Sequence, residues 1–362
     1  MSIRWPEWLR INENLRDLTP YGAPQIDVPH RLNTNENPYS LRPELQKAIL
    51  DSIGAKVSHL NRYPDRDAIE LRSALASFIN KQSGTSFGVE NVWAANGSNE
   101  ILQSIALAFH GDAMGFEPSY SMHPLISRAV GKEWISIPRT SDFSIDVDLA
   151  IQEINSRKPG IVFVTTPNNP TGGSTSLEVI RKIAGAAKSN SALIVVDEAY
   201  AEFSSQPSSV TLIKDFPNII VSRTMSKAFA FAGARLGYMI ADPVIVDAMM
   251  LIRLPYHLSD LTQAAATTAL AHQDSLLSDV KRISESRKSL VEELQSMGFI
   301  VFPSDANFFL FTGFKGSAAQ VWSSLVEAGV LIRDVGISNH LRVTVGTDSE
   351  NRALIDALRK VN

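Results

Sequence analysis

Lys227 lies in Val221-Ser222-Arg223-Thr224-Met225-Ser226-Lys227-Ala228-Phe229, and Gly233-Ala234-Arg235 follow a few residues on. One amine thus stands near two hydroxyls and a guanidinium. An amine condenses with an aldehyde, and hydroxyls with an arginine grip a phosphate on the same molecule. Such a set suits pyridoxal phosphate held as a Schiff base.

Three more groups extend the pattern. Asp197 follows an apolar run and precedes Glu198-Ala199-Tyr200. At a strand end a carboxylate either caps the next helix or holds a pyridine nitrogen protonated, and Tyr200 is placed to donate to a ring oxygen. Thr165-Thr166-Pro167-Asn168-Asn169-Pro170-Thr171-Gly172 reads as a turn after another strand, with the Asn169 amide available to a ring oxygen. Asn96-Gly97-Ser98-Asn99-Glu100 opens a helical pattern, where free N–H groups, a flexible glycine and a hydroxyl form either a plain N-cap or a phosphate seat. Tyr120 is an aromatic that packs in a core or stacks on a heterocycle.

The elements that must position these groups are legible in the hydrophobic pattern. Trp8, Ile11, Leu15 and Leu18 recur at three- and four-residue steps and predict a short amphipathic helix. Arg31 to Tyr39 is polar and turn-rich, which predicts an arm or loop rather than core. Ile161-Val162-Phe163-Val164, Leu193-Ile194-Val195-Val196 and Ile219-Ile220-Val221 are short, β-branched and without alternation, as in parallel strands covered on both faces. An α/β layered large domain follows, with ligands expected beyond the carboxyl ends of its strands. A long helical tract to about Met297 and several short strands predict a smaller α+β domain. The expected division is 1–45 for an N-terminal arm and the start of the small domain, 46–254 for the large domain and 255–362 for the small one.

Composition narrows the function. The chain has 362 residues, 44% of them hydrophobic, enough for two lobes. It has no cysteine, so no disulfide or thiolate site, and its seven histidines never fall at metal-ligand spacing. No metal is expected. A net charge of −4 gives no basic face for nucleic acid. Met1 to Pro6 lacks the apolar core of a signal peptide and there is no membrane-spanning run, so a cytoplasmic protein is expected.

Taken in order, seven segments resemble the fold type I pyridoxal-phosphate aminotransferases, and within them the histidinol-phosphate aminotransferase branch. They are Asn33-Thr34-Asn35-Glu36-Asn37-Pro38, Asn61-Arg62-Tyr63-Pro64-Asp65, Asn96 to Glu100, Pro167 to Gly172, Val196 to Tyr200, Arg223 to Phe229, and Leu331-Ile332-Arg333-Asp334 with Leu341 to Gly346. The resemblance implies a mostly parallel, seven-stranded-type sheet between helices. It implies that Lys227 carries the cofactor and moves the substrate proton, and that Asp197 meets the pyridine nitrogen. Asn169 and Tyr200 would meet the ring oxygen and Tyr120 would stack on the ring. Gly97, Ser98, Asn99, Thr224, Ser226 and Arg235 would hold the phosphate, and Tyr63 would reach the phosphate in a neighbouring subunit of a homodimer. Tyr21, Asn37, Tyr256, Arg333 and Arg342 would contact substrate.

The implied activity is ping-pong amino transfer between histidinol phosphate and 2-oxoglutarate, a step of histidine biosynthesis. Aromatic amino-acid transamination is the nearest alternative, and a phospho-amino-acid decarboxylase the next. The effector half of a transcription regulator is disfavoured, because too little chain precedes the first motif for a DNA-binding domain.

Overall fold

The computed structural model describes residues 5–361; Met1 to Arg4, the first part of the segment read for a signal peptide, lie outside the described residues. The elements in chain order begin with β1 (His30–Arg31), α1 (Pro43–Val57), α2 (Ile69–Ser83), β2 (Val92–Ala95), α3 (Ser98–Ala108), β3 (Ala113–Glu117), α4 (Met122–Ala129) and β4 (Trp134–Pro138). Next come α5 (Val147–Arg157), β5 (Ile161–Thr165), α6 (Leu177–Ser189), β6 (Leu193–Asp197), β7 (Ile219–Thr224), β8 (Gly237–Ile240) and α7 (Pro243–Ile252). The chain ends with α8 (Asp260–Ala271), α9 (Gln273–Ser296), β9 (Ile300–Val301), β10 (Phe308–Thr312), α10 (Ala318–Glu327), β11 (Val330–Leu331), β12 (Arg333–Asp334), β13 (Leu341–Thr344) and α11 (Asp348–Val361).

The central sheet has seven strands in the order β2-β8-β7-β6-β5-β3-β4, and only β8 runs against its neighbours. Alternate residues of one strand enter two different cores. Val162, Val164, Ile194 and Val196 pack into the larger cluster, while Ile161, Phe163 and Val195 pack with α3, α4 and α7 residues such as Ile105, Ile126 and Val246. That is why these strands are apolar throughout: each face meets a helical layer. Local caps fix the helix starts, with Ser176 accepting from Val179 N, Asp146 from Leu149 N, and Ser317 in a capping box with Gln320.

A four-stranded antiparallel sheet, β12-β13-β10-β9, forms with α10 and α11 the C-terminal α+β part. β1 pairs in parallel with β11, so the N-terminal segment is stitched to the C-terminal part by His30 opposite Val330 and Arg31 opposite Leu331. The long helical tract is two helices, broken at His272.

Two expectations are corrected. The periodic segment from Trp8 to Leu18 is not an amphipathic helix but extended chain with one 3₁₀ turn, Glu13–Leu15. Trp8 is exposed, so the stripe has no surface to bury against, and a helix that short is marginal without one. Asn14 instead donates to the carbonyls of Arg128 and Ala129 at the end of α4, which holds the segment out as an arm. The stretch around Asn33 is irregular as expected, yet it is core: Leu32, Asn33 and Asn35 are buried, because their polar groups find partners in the interior.

Candidate active site

The carboxyl edge of the central sheet carries the site. Asp197 is the last residue of β6 and Thr224 the last of β7, Asn169 sits in the turn after β5, and Ser98 starts α3 after β2. Lys227 follows β7 by three residues. Together with Tyr21, Asn99, Tyr120, Tyr200, Ser226, Arg235 and Arg342 they line one cleft of about 420 Å³. Groups drawn from positions 21 to 342 thus converge at the sheet edge where ligands of such folds bind.

The Lys227 amine donates to the carbonyl of Thr34 at 3.0 Å. Enclosure in the cleft, with Arg342 and Arg235 nearby and only Glu36 opposing them, brings its pKa down to about 8. A larger fraction of neutral amine is therefore present near neutral pH than for a free lysine, as a nucleophile requires.

Asp197 is buried. One oxygen, Oδ2, pairs with His123 Nε2 at 3.1 Å, and the other, Oδ1, has no partner among the described residues. His123 is itself enclosed, stacked on Phe163 at 4.7 Å and met edge-on by Tyr120 at 5.4 Å. A fully buried acceptor left open is costly unless something donates to it.

Tyr200 is held by Asn35, whose Nδ2 donates to the phenol oxygen at 3.0 Å. Burial, with Asp197 adding and Arg342 opposing, pushes the phenol up to about 12, so it stays a neutral donor. Burial likewise raises Tyr120, whose hydroxyl donates to Asn99 Oδ1 at 3.2 Å. Arg342 donates from Nη1 to Asn169 Oδ1 and from Nη2 to the Asn33 carbonyl, each at 2.6 Å, and its buried Nε has no acceptor. Burial brings Arg342 down to about 10, which leaves it a cation at neutral pH.

Thr224, Ser226 and Arg235 lie beside the start of α3. Ser226 N and Oγ both lie within hydrogen-bond reach of Thr224 Oγ1, at 3.1 and 3.0 Å. Gly97 caps α3 at φ 85°, and a Cβ there would come within 2.6 Å of Arg235 Nη2. A Cβ at Gly237 would collide with Ser98 N. Only glycine leaves room for helix N–H groups, two hydroxyls and a guanidinium to converge, which is a donor set for a phosphate. With the open Asp197 oxygen for a ring N–H and the Lys227 amine in the same cleft, the residues fit pyridoxal phosphate.

Some expected residues lie elsewhere. Arg333 pairs across the sheet with Arg342 and lines an adjoining cavity of about 300 Å³ together with Tyr21, Tyr120, Asn169 and Arg342; its Nη1 is buried without an acceptor. Asn37 does not reach the cleft, since its amide is spent on the Ala228 carbonyl and the Tyr39 N–H. Tyr63 and Tyr256 stack on each other at 4.3 Å on the outer surface, outside the cleft. Gly97 does not itself line the cleft.

The family described as "Aminotransferase class I and II" matches residues 29–358. A curated histidinol-phosphate aminotransferase of Mycolicibacterium smegmatis is 52% identical over 357 residues, 96% of this chain and 92% of that one. The chain belongs to the class I and II aminotransferases. A second relative of the same description, from Mycobacterium avium, is 52% identical over 96% of this chain and 88% of its own. Among solved structures, a histidinol-phosphate aminotransferase of Sinorhizobium meliloti in complex with pyridoxal-5'-phosphate superposes on this aminotransferase with a TM-score of 0.83, at 26% identity and 97% coverage of each chain. That of Clostridium acetobutylicum gives 0.82 at 25% identity, covering 92% of this chain and 98% of its own. The fold type I architecture expected from the sequence is the one found.

Four groups of this aminotransferase site escaped the sequence reading. His123 had no metal-like spacing, Asn35 and Thr34 belonged to a stretch read as a loop, and Arg223 is wholly internal. Arg223 joins Glu198 at 2.9 Å and Glu202 at 2.9 Å beneath the cleft, which ties the residue after Asp197 to the residue before Thr224. A lone arginine at the end of an apolar strand, with two acids four residues apart in Glu198 and Glu202, was the available signal.

Proposed function

We propose that this chain is a pyridoxal-phosphate-dependent aminotransferase that moves an amino group between histidinol phosphate and 2-oxoglutarate, in the biosynthesis of histidine. The observation that carries the substrate is the pair of cross-strand arginines, Arg342 and Arg333. Both line the cavity next to Lys227, and each has a buried nitrogen without an acceptor. A guanidinium fork suits phosphate and carboxylate alike, and amino transfer requires one seat to serve both partners.

When bound, pyridoxal phosphate supplies an electron-withdrawing ring that makes a proton on the substrate's α-carbon acidic. Asp197 Oδ1 would accept the ring's N–H, with His123 holding the other oxygen. Ser98, Asn99, Thr224, Ser226 and Arg235 would hold the phosphate, Asn169 and Tyr200 the ring oxygen, and Tyr120 a ring face. Lys227, with its lowered pKa, is placed to take the α-proton on its nitrogen and to give it up at the carbon two atoms away, on the far side of the substrate nitrogen, as general base and then general acid.

The working unit in this reading is a homodimer. Val57, Leu60 and Tyr63 on one side, and Leu251, Leu254 and Tyr256 on the other, are exposed together, joined by the tyrosine stack and by Arg253 donating to the Arg66 carbonyl. A second copy of the chain suits so apolar a face. Among the described residues no helix is long and apolar enough to cross a membrane, and the cytoplasm is the proposed location.

The test is an assay of the cofactor-loaded protein with histidinol phosphate and 2-oxoglutarate beside a panel of aromatic amino acids. Histidinol phosphate is expected to have the highest kcat/KM, and Lys227→Ala to lose turnover. Preference for phenylalanine would assign the chain to aromatic transamination instead, and release of CO₂ to decarboxylation.

A further inference from the structure

The residues lining the cleft include three cations, Lys227, Arg235 and Arg342, but only two carboxylates, Asp197 and Glu36. Asp197 is buried at the floor and shares an oxygen with His123. Glu36 is exposed at the mouth. Its Oε2 accepts from Thr34 Oγ1 at 2.9 Å, and its Oε1 has no partner among the described residues.

An exposed glutamate on a loop is ordinarily a solvated charge. This one stands on a fixed mount. The Asn35 N–H donates to Thr344 Oγ1 at 3.0 Å, and Asn307 Nδ2 donates to the carbonyls of Asn35 and Glu36 at 3.1 and 3.4 Å. On its other side Asn37 is tied to the Ala228 carbonyl. Thr34 links the carboxylate to the reaction centre directly, since its hydroxyl donates to Glu36 while its carbonyl receives the Lys227 amine. The backbone of Glu36 is therefore fixed, and its carboxylate is tied through Thr34 to Lys227 with the other oxygen open at the mouth.

From this arrangement we infer that Glu36 is a specificity residue that accepts the ring N–H of an imidazole-bearing substrate. The inference rests on the proposed use of histidinol phosphate and adds the group that reads its ring. Recognition then has three points: the arginines take the anion, Lys227 meets the reacting carbon, and Glu36 takes the ring nitrogen. An imidazole carries a proton part of the time near neutral pH, and a carboxylate facing it then gains a charge-assisted hydrogen bond. A phenyl ring offers no N–H, so the same carboxylate gains nothing from phenylalanine and must lose water to admit it.

The test compares the cofactor-loaded wild type with Glu36→Ala and Glu36→Gln, measuring kcat/KM for histidinol phosphate and for its two ring N-methyl derivatives. Wild type should reject at least one methylated ring by about tenfold or more, the scale of a hydrogen bond to a charged group. In Glu36→Ala that discrimination should collapse, with Glu36→Gln intermediate, because an amide oxygen accepts without charge. Equal losses on all three substrates would mark Glu36 as a general support for Lys227 and overturn the inference, as would unaltered discrimination in Glu36→Ala. Wild type inactive on histidinol phosphate but active on phenylalanine would overturn the substrate reading itself, and this one with it.

Discussion

Arg342 reaches across the cleft from β13 and donates to the side-chain oxygen of Asn169 in the turn after β5, at 2.6 Å. The bond orients Asn169, because an amide whose oxygen faces Arg342 must turn its nitrogen away, and Asn169 Nδ2 lies 3.5 Å from the Tyr200 hydroxyl. Through Tyr200 the chain of contacts continues to Asn35 and Thr344, back on β13. The C-terminal part of the molecule and the sheet edge thus share one polar ring around the reaction centre. An anionic substrate that draws on Arg342 acts on the Asn169 amide at the same time.

Replacing Arg342 with Lys should therefore do more than shift a charge. Lysine lacks the fork that serves Asn169 Oδ1 and the Asn33 carbonyl together while keeping a free nitrogen. We expect kcat/KM for both the amino donor and 2-oxoglutarate to fall about 100-fold, on the scale of a charged, bidentate hydrogen-bond pair. Steady-state kinetics on both half-reactions checks it. A loss confined to one partner would show that the two do not share the seat.

The lowered Lys227 pKa makes a stability prediction for the cofactor-free protein. The folded value is about 8 and that of a free lysine 10.5, so between them the unfolded chain binds more protons and stability rises with pH. Below about pH 8 the cost of a buried ammonium is fully present; above 10.5 it is gone. Urea unfolding of wild type and Lys227→Met at pH 7.5 and 10.5 should show wild type gaining relative to the variant, by at most about 3 kcal/mol. A difference that does not move with pH would show that the amine is solvated.

His123 is expected to matter although no part of it faces the cleft. Its replacement by Phe keeps the stack on Phe163 but leaves Asp197 Oδ2 without its donor. A buried acceptor so abandoned costs about 1–3 kcal/mol. Thermal unfolding should register that loss, and the loaded enzyme should bind its cofactor more weakly, measured by its absorbance during dialysis. His123→Asn, which can still donate, should recover part of both. Equal damage in the two variants would mean that ring packing, not the hydrogen bond, is what counts.

The fold and most of the site were legible because the relevant signals are local. Apolar β-branched runs ending in Asp197 and Thr224 mark strands and the edge where they stop, and Lys227 with its hydroxyls is contiguous in the chain. What escaped has no local signature. His123 meets Asp197 only once α4 is packed on the sheet, and nothing in Met122-His123-Pro124 announces it. Asn35 reads as a turn residue because asparagine usually is one; its burial depends on Thr344, 309 positions away. The arm from Trp8 to Leu18 misled in the opposite sense, since a helical period is only a helix when a second surface takes up its apolar face.

Tyr63 offers the sharpest test of a shared site, since it lies outside the cleft of its own chain, stacked on Tyr256. If it serves the phosphate seat of a second copy, Tyr63→Ala and Lys227→Ala damage different subunits' contributions to one site. Each homodimeric variant alone should then be strongly impaired. Unfolded together and refolded as a mixture, they form hybrid dimers in which one site collects both defects and the other has neither. Random pairing puts roughly a quarter of all sites in the intact class, by the two-fold symmetry of such a dimer. Activity should rise to about that share of wild type on mixing. A mixture no more active than the sum of its parts would place Tyr63 in the service of its own subunit or of none, and the tyrosine stack would then be a surface contact alone.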